Sequence, residues 1–595
     1  MLKDNSHMGV VFGTESHRPA HSPFRLALNR VLTALLAALP LVASSAAQSA
    51  VINATSPSLT DVTAAIHSAA DGDTVTIPKG TASWTSTIKI SKGIALIGQT
   101  TTDPVHKTAD DQTIISVNTG ANGNTPLLVV DTALGKSYRV SGLTFRTGQT
   151  QTVNSNGMLQ LSGGSRAVRV DHCHFDDLAF ENNTIAAWGA IYGVIDHNVF
   201  DFRSPNNRSQ SVFSAIPGPE SWGDVPWTQP ANFGSEKFLF MEDNCVNNTS
   251  GNEFAGTIDG RQGGRWVFRH NHCYNMGIGS HGTEIGRYRG ERAGELYNND
   301  FHWTFPANVG GIRSGAFITH DNTYDGAQPQ HGMTLGQYRV FIKIPSFGGS
   351  SGDNPWDYNV TEPNGTHIEG RPPYLFASGT AGAGSNRTTI VDTTKNWRTN
   401  QWNGYTAKRV SYGGIMLITS NTSNAITGFY HDGYGGGVTW NAADQYQIHK
   451  VLTSMDQPCR GAGDLITGDF DHPVNARTGT PSWVHQALEP AYSWNNVYTP
   501  TGAPVNIELA SGAWAVLQDG RDFYNNTPMP GYTPYTYPHP LVSGQPPPTA
   551  RATQGSQRYV NKTGERKAKK VKTWKWGRAK ESSTDETAEP IAPGQ

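Results

Sequence analysis

Charge is scarce in this 595-residue chain: Asp, Glu, Lys and Arg make up 16% of it, against about 25% in an average globular protein. The charge is also unevenly placed. Residues 551–595 hold 11 bases and 5 acids, residues 1–47 hold 4 and 2, and the body between them holds 31 bases and 41 acids. An acidic body excludes a general nucleic-acid binder, because phosphate affinity needs an extended basic surface. Cysteine is scarce too. Cys173, Cys245, Cys273 and Cys459 are too few and too scattered for a disulfide scaffold, and no CxxC pair suggests zinc. One bridge from Cys245 to Cys273, or four buried thiols, fits equally well. Long apolar runs are absent after Val31–Ala43, so no membrane span is expected. With 65 Gly and 35 Pro, long helices are disfavoured.

Arg25 and Arg30 precede the run VLTALLAALPLVA (31–43) and the small residues Ser45-Ala46-Ala47. This pattern predicts a secretory signal peptide over 1–47 and a secreted protein, extracellular, periplasmic or at the cell surface. The polar stretch before it is long, which makes Met8 an alternative start.

Internal repetition is the strongest signal. VRVDHCHF (168–175), GVIDHNVF (193–200), FLFMEDNCV (238–246), WVFRHNHCY (266–274), GELYNNDF (294–301), AFITHDNTY (316–324) and AYSWNNVY (491–498) share one plan: an alternating strand, a polar pair usually ending in Asn, and a short second strand. Asn198, Asn244, Asn271, Asn299 and Asn322 recur at spacings of 46, 27, 28 and 23, with Cys173 in the equivalent place 25 residues earlier. The 46 is one period plus an insertion over 203–236 that contains Trp222 and Trp227. A period near 25 residues makes three short strands and three turns, one coil of a parallel β-helix. Asn suits such a turn, because it tolerates a left-handed backbone and can bond to the coil above.

The region after the leader agrees. Ser58-Leu59-Thr60-Asp61 opens a short amphipathic helix (Val62, Ile66, Ala69), followed by short alternating strands in GDTVTIPKGTASW (72–84), TIKI (87–90) and IALIGQ (94–99). A helix over the first coil would protect an exposed strand edge. With the asparagine repeats, these residues resemble the right-handed parallel β-helix superfamily of pectate lyases, whose members often begin this way and stack asparagines at one turn. The resemblance covers 50–380 and 450–510. It implies an all-β solenoid with an N-terminal capping helix, and it leaves the substrate open, because the superfamily includes lyases, hydrolases, epimerases and noncatalytic adhesins.

The expected organisation is a β-helix over 48–379, a small inserted β module over 380–450 where the period fails, the rest of the β-helix with an extended cap over 451–545, and a basic tail over 546–595. The tail reads as disordered and solvated, with binding to an acidic envelope polymer as its sharper reading.

A groove can be placed by counting. Ile258, Ile285 and Ile312 recur at spacings of 27 and would stack inward, with Ile185 in the same row. Alternation then turns Thr257, Glu284 and Gly311, and next Asp259, Gly286 and Arg313, outward. Nearby stand Arg261, His281, Arg287, Tyr288 and Arg289 in a segment rich in glycine, GIGSHGTEIGRYRGER (277–292). Arg265 and Arg269 alternate with Trp266 and Phe268 and should face elsewhere.

An eliminative lyase acidifies the proton beside a uronate carboxylate with Ca²⁺ or arginine and removes it with a base. The expected catalytic residues are His281, Arg287, Arg289 and Arg261. Arg313, Tyr288, Trp222 and Trp227 would bind substrate, and Asp259 and Glu284 would hold Ca²⁺. The expected function is β-elimination of an acidic, uronate-containing polysaccharide by a monomer that binds no nucleic acid. The alternatives are a glycoside hydrolase using Asp259 and Glu284, although NTD, a groove DD pair and RIK are missing, and a noncatalytic carbohydrate-binding adhesin.

Overall fold

The computed structural model describes residues 49–544 except 120–124, 149–156, 178–182, 205–209, 217–224, 252–255, 281–288, 337–374, 412–414, 430–437, 451–455, 464–465, 470–471, 476–478, 480–485, 511–512 and 514–516. The expected leader and basic tail lie outside the described residues.

Two long sheets and a shorter third, paired in parallel from coil to coil, wind as a right-handed parallel β-helix. The first has 12 strands, from Val51–Asn53 to Phe523–Asn525, and the second has 11, beginning at Gly80–Trp84. The third has six, from Ile88–Ile90 to Ile258–Arg261, and a separate three-stranded sheet starts at Asn308–Ile312. One coil shows the path. Asn183–Gly189 lies in the third sheet, Gly193–Asp196 in the first and Val199–Phe202 in the second. Alternation sends every second side chain inward, and like side chains stack on successive coils. Phe145, Phe175 and Phe200 stack at 5.6 and 4.6 Å between ring centroids.

The turn between the first and second sheets holds the asparagine stack. Asn244 Nδ2 donates to Asn271 Oδ1 at 2.9 Å, Asn271 to Asn299 at 3.1 Å, and Asn299 to Asn322 at 2.9 Å. Asn198 begins the run, and Cys173 N donates to its Oδ1 as its place in the repeat requires. Asn496 extends it to the next coil. The expected reason for asparagine needs correction. The left-handed residue is the one before it: His172, His197, Asp243, His270, Asn298, Asp321 and Asn495, with φ between 49 and 55°. The stacked asparagines are buried instead, and each side chain joins its own coil to the next.

The helix Leu59–Ser68 covers the first coil as expected, with Ser58 Oγ accepting from Asp61 N and Val62, Ala65 and Ile66 buried. All four cysteines are buried free thiols. The Cys245 to Cys273 bridge does not form because Cys245 pairs with His272 and Cys273 with Val246, which places the two sulfurs on opposite sheet faces.

The inserted module is a six-stranded sheet, all its pairings antiparallel, with a hydrophobic cluster of its own. It opens with Leu375–Thr380, paired to Gln445–Lys450, so it starts before the expected residue 380. The first sheet resumes at Ala491–Trp494, paired with Ala316–His320. After that, an extended strap over 526–544 returns along the outer face of the first sheet. Arg269 donates to Tyr535 O and Thr536 O, His539 N donates to Glu242, and Arg169 donates to Leu541 O and Val542 O.

Candidate functional site

The outer face of the third sheet carries Asp259 and Arg261, two of the residues singled out by counting. Ile185, Val212 and Ile258 pair in one inward row, which turns Ala186, Phe213 and Asp259, then Trp188, Ala215 and Arg261, to the other side. Trp188 and Phe213 pack at 4.9 Å. The Arg261 guanidinium lies 4.5 Å from the Phe213 ring centroid and 5.8 Å from that of Trp188, a cation on an aromatic floor. Asp259 stands beside it, 4% exposed.

The next coil departs from the expected register. Thr257 N donates to Gly277 O, Gly279 N donates to Ile258 O, and Ile278 pairs with Gly310. The strand position expected for Ile285 is therefore filled by Ile278, seven residues earlier. The reason is unequal connections. Only Gln262–Gly264 separate the third sheet from the first in one coil, whereas the following coil spends residues 280–292 on the same crossing. Counting from one asparagine to the next cannot reveal where within the coil the extra residues fall.

Segment 281–288, which holds His281, Glu284, Arg287 and Tyr288, lies outside the described residues, but both of its ends are fixed. At its start, Arg313 N donates to Ser280 Oγ at 2.9 Å and Arg313 Nε donates to Ser280 O at 2.6 Å. At its end, Gly290 bridges to Arg261, and Gln262 N donates to Arg289 O. The segment thus leaves beside Arg313 and returns beside Arg261.

Two expected site residues belong to the scaffold. Arg289 is fully buried and forms a two-pronged pair with Asp456 at 2.6 and 2.7 Å, so it offers no exposed guanidinium to a sugar. Trp227, expected to stack on substrate, is also fully buried. Its Nε1 donates to Gly290 O, and the guanidiniums of Arg289 and Arg292 lie 5.1 and 5.4 Å from its ring. The insertion therefore plants a tryptophan behind the groove to brace the end of the segment. Trp222 lies outside the described residues. Arg265 and Arg269 do face elsewhere: Arg265 donates to Ala231 O and Pro230 O, and Arg269 lies under the strap.

Glu291 was missed. It is fully buried, its Oε2 accepts from Trp266 Nε1 at 2.7 Å, and only the missing side chain of Gly260 leaves room for it. Burial, with the negative charge of Asp259, holds its carboxyl well above the usual range, against the opposing pull of Trp266, Ser280 and Arg313. The sequence placed Glu291 between Gly290 and Arg292 in a charged run, where nothing distinguished it from a surface residue. Being buried, it cannot touch a glycosidic oxygen.

On the outer face of the second sheet, Asp111, His174 and Asp176 bring ligand atoms within 4.8 Å of one another. Their charges are already balanced. Burial lowers the His174 pKa, but the hydrogen bonds its ring donates to the Asp111 and Asp201 carboxylates outweigh it and raise the value to about 9. Arg146 pairs with Asp111 and Asp176, and Arg203 with Asp176 and Asp201. Three cations meet three carboxylates, which gives a divalent ion little to neutralise.

No protein-family model matches the chain, and no curated protein matches it. A solved structure described as a PL6 family alginate lyase, AlyGC, is similar over 48% of this chain and 40% of its own, at 16% identity and a TM-score of 0.28. This chain therefore spans about two fifths of the length of that structure. The continuous parallel sheets are what identify the fold. Among the described residues, no helix is long and apolar enough to cross a membrane.

Proposed function

We propose that this protein is an exported polysaccharide lyase of the pectate lyase-like superfamily, which cleaves an acidic, uronate-containing glycan by β-elimination on the outer face of the third sheet. The observations that support the reading are that Arg313 donates to Ser280 at one end of segment 281–288, and that Arg261, two residues after Asp259 on its strand, bridges to Gly290 at the other. A neutral glycan needs no guanidinium groups. A uronate carboxylate is matched by the planar fork of arginine, which can bind it through two parallel hydrogen bonds.

In this reading Arg261 and Arg313 hold the carboxylate and withdraw charge from it, which makes the neighbouring carbon-bound proton acidic. His281 takes that proton, the electron pair forms a carbon–carbon double bond, and the glycosidic oxygen leaves with a proton from Arg287 or water. Tyr288 and Trp222 would contact the sugar. The Trp188 and Phe213 floor fixes the Arg261 guanidinium so that little freedom is lost on binding. Calcium, when bound, would add positive charge against the carboxylate. It needs six to eight oxygen ligands, of which Asp259 is one fitting donor and Glu284 the second proposed, and no step above passes through it.

Incubation with pectate, alginate, glucuronan and glycosaminoglycans, with and without Ca²⁺, tests the reading. The expected product shows new unsaturated-uronate absorbance. Reducing ends without that absorbance would mean hydrolysis, and binding without cleavage would mean an adhesin. His281→Ala should abolish turnover; wild-type turnover in that variant would remove His281 from the mechanism.

A further inference from the structure

The inserted module has a polar outer face that no part of the mechanism uses. Its strands Leu375–Thr380, Gln445–Lys450 and Tyr405–Arg409 lie side by side. Tyr446, Ile448 and Ala407 point into the module's own core. Alternation therefore turns Ser378, Gln447 and Lys408 outward as one row across the three strands. Thr380 and Gln445 make a second row, which Val410 N joins by donating to Gln445 O. A cavity of about 320 Å³ opens here, lined mainly by Ser378, Thr380, Val410, Gln445 and Gln447. Val410 is 51% exposed, and so is 45% of Phe376, two residues before Ser378 on the same strand.

The module is attached through another part of its surface. Leu417 and Phe429 join the hydrophobic core of the β-helix, and Leu417 pairs with the buried Thr406, so the attachment lies toward that end of the face and the Gln445 row lies at the other. The charge differs from the rest of the body as well. Residues 375–450 carry six Lys and Arg against three Asp and Glu, inside a body that is acidic as a whole. Two side-chain amides, two hydroxyls and an ammonium on a rigid sheet, with two exposed apolar side chains, match the hydroxyls, the carboxylate and the apolar ring face of a uronic-acid sugar. The patch is about 10 Å across the strands and about 7 Å along them, room for a short run of linked rings.

We propose that this face is a noncatalytic binding site for an acidic polysaccharide, which holds the polymer while the groove on the β-helix acts on it. The proposal rests on the acidic-glycan reading above and adds a second site to it. Binding at both sites of one chain raises the effective concentration of polymer at the groove, so the gain is confined to long chains.

The full chain is compared with the triple variant Lys408→Ala, Gln445→Ala, Gln447→Ala by electrophoresis through gels containing pectate, alginate or the neutral polymer hydroxyethylcellulose, after matching near-UV circular dichroism. In the acidic gel that retards the wild type, the variant is expected to bind at least fivefold more weakly. Retardation of the wild type should fall with added salt. On a polymer that the wild type cleaves, the variant should turn over dilute polymer more slowly and short oligomers at the wild-type rate. Retardation of the variant equal to wild type overturns the module site while leaving the lyase reading intact. Retardation of the wild type by the neutral polymer alone overturns the acidic class. A wild type that is neither retarded by nor active on any acidic glycan overturns both readings. A slower rate on short oligomers places the effect in the groove and also overturns the proposal.

Discussion

At the scale of single residues, the groove and the scaffold behind it use the same residue types for opposite ends, and mutation should separate them. Arg261→Ala and Arg313→Ala are expected to lower kcat/KM by about 100-fold or more, the loss typical of one charge-stabilising donor, with the denaturation midpoint nearly unchanged. Arg261→Lys should not restore activity, because a point charge lacks the fork that matches a carboxylate. Arg289→Ala should do the reverse. It leaves Asp456 buried without its two-pronged partner and should cost about 3–5 kcal/mol, read by urea denaturation. Asn271→Ala removes a side chain that donates to Met241 O, Arg269 O and Asn299 Oδ1 and accepts from Asn244. It should cost about 3 kcal/mol, since several buried groups lose partners together. The ladder was legible because its asparagines repeat. Glu291 was not, because the cavity that buries it exists only where Gly260 and Trp266 of the preceding coil meet it.

Among the elements, the strap over 526–544 is held by groups whose charge depends on pH. Glu295 accepts from Gly234 N and from the Tyr532 hydroxyl on the strap, both at 2.8 Å or less. Burial raises its pKa to about 7, against the pull of these bonds and of Arg269. Its folded value lies above its unfolded value. The contribution is therefore full below the ordinary carboxylate range and is lost as pH rises through about 7. Thermal melts from pH 5 to 8.5 should show this decline, and Glu295→Gln should flatten it. A Gln keeps an acceptor for Gly234 N and gains a donor for the Tyr532 oxygen without ever ionising. A decline of equal slope in the variant would assign it to other groups. His174 has the same sign on the other face, with its contribution lost as pH rises through about 9.

In the molecule as a whole, the module enters and leaves through neighbouring antiparallel strands, Leu375–Thr380 and Gln445–Lys450. Replacing residues 375–450 by a short Gly/Ser linker should leave the β-helix folded, as domain removal at such a junction permits. Some stability should be lost where Leu417 and Phe429 leave the shared core. A chain without native-like circular dichroism would show that the module is integral to the solenoid. The local sequence by itself determined the solenoid, its capping helix and the turn where Asn198 to Asn322 stack, since each coil repeats one alternating pattern and one buried hydrogen-bonding residue. It also placed Asp259 and Arg261 on one face of their strand. Only the tertiary structure decided the register of the 280–292 crossing and the burial of Arg289, Trp227 and Glu291. Those depend on contacts between coils and with residues such as Asp456, far along the chain, and the length of a connection carries no periodicity from which they could be read.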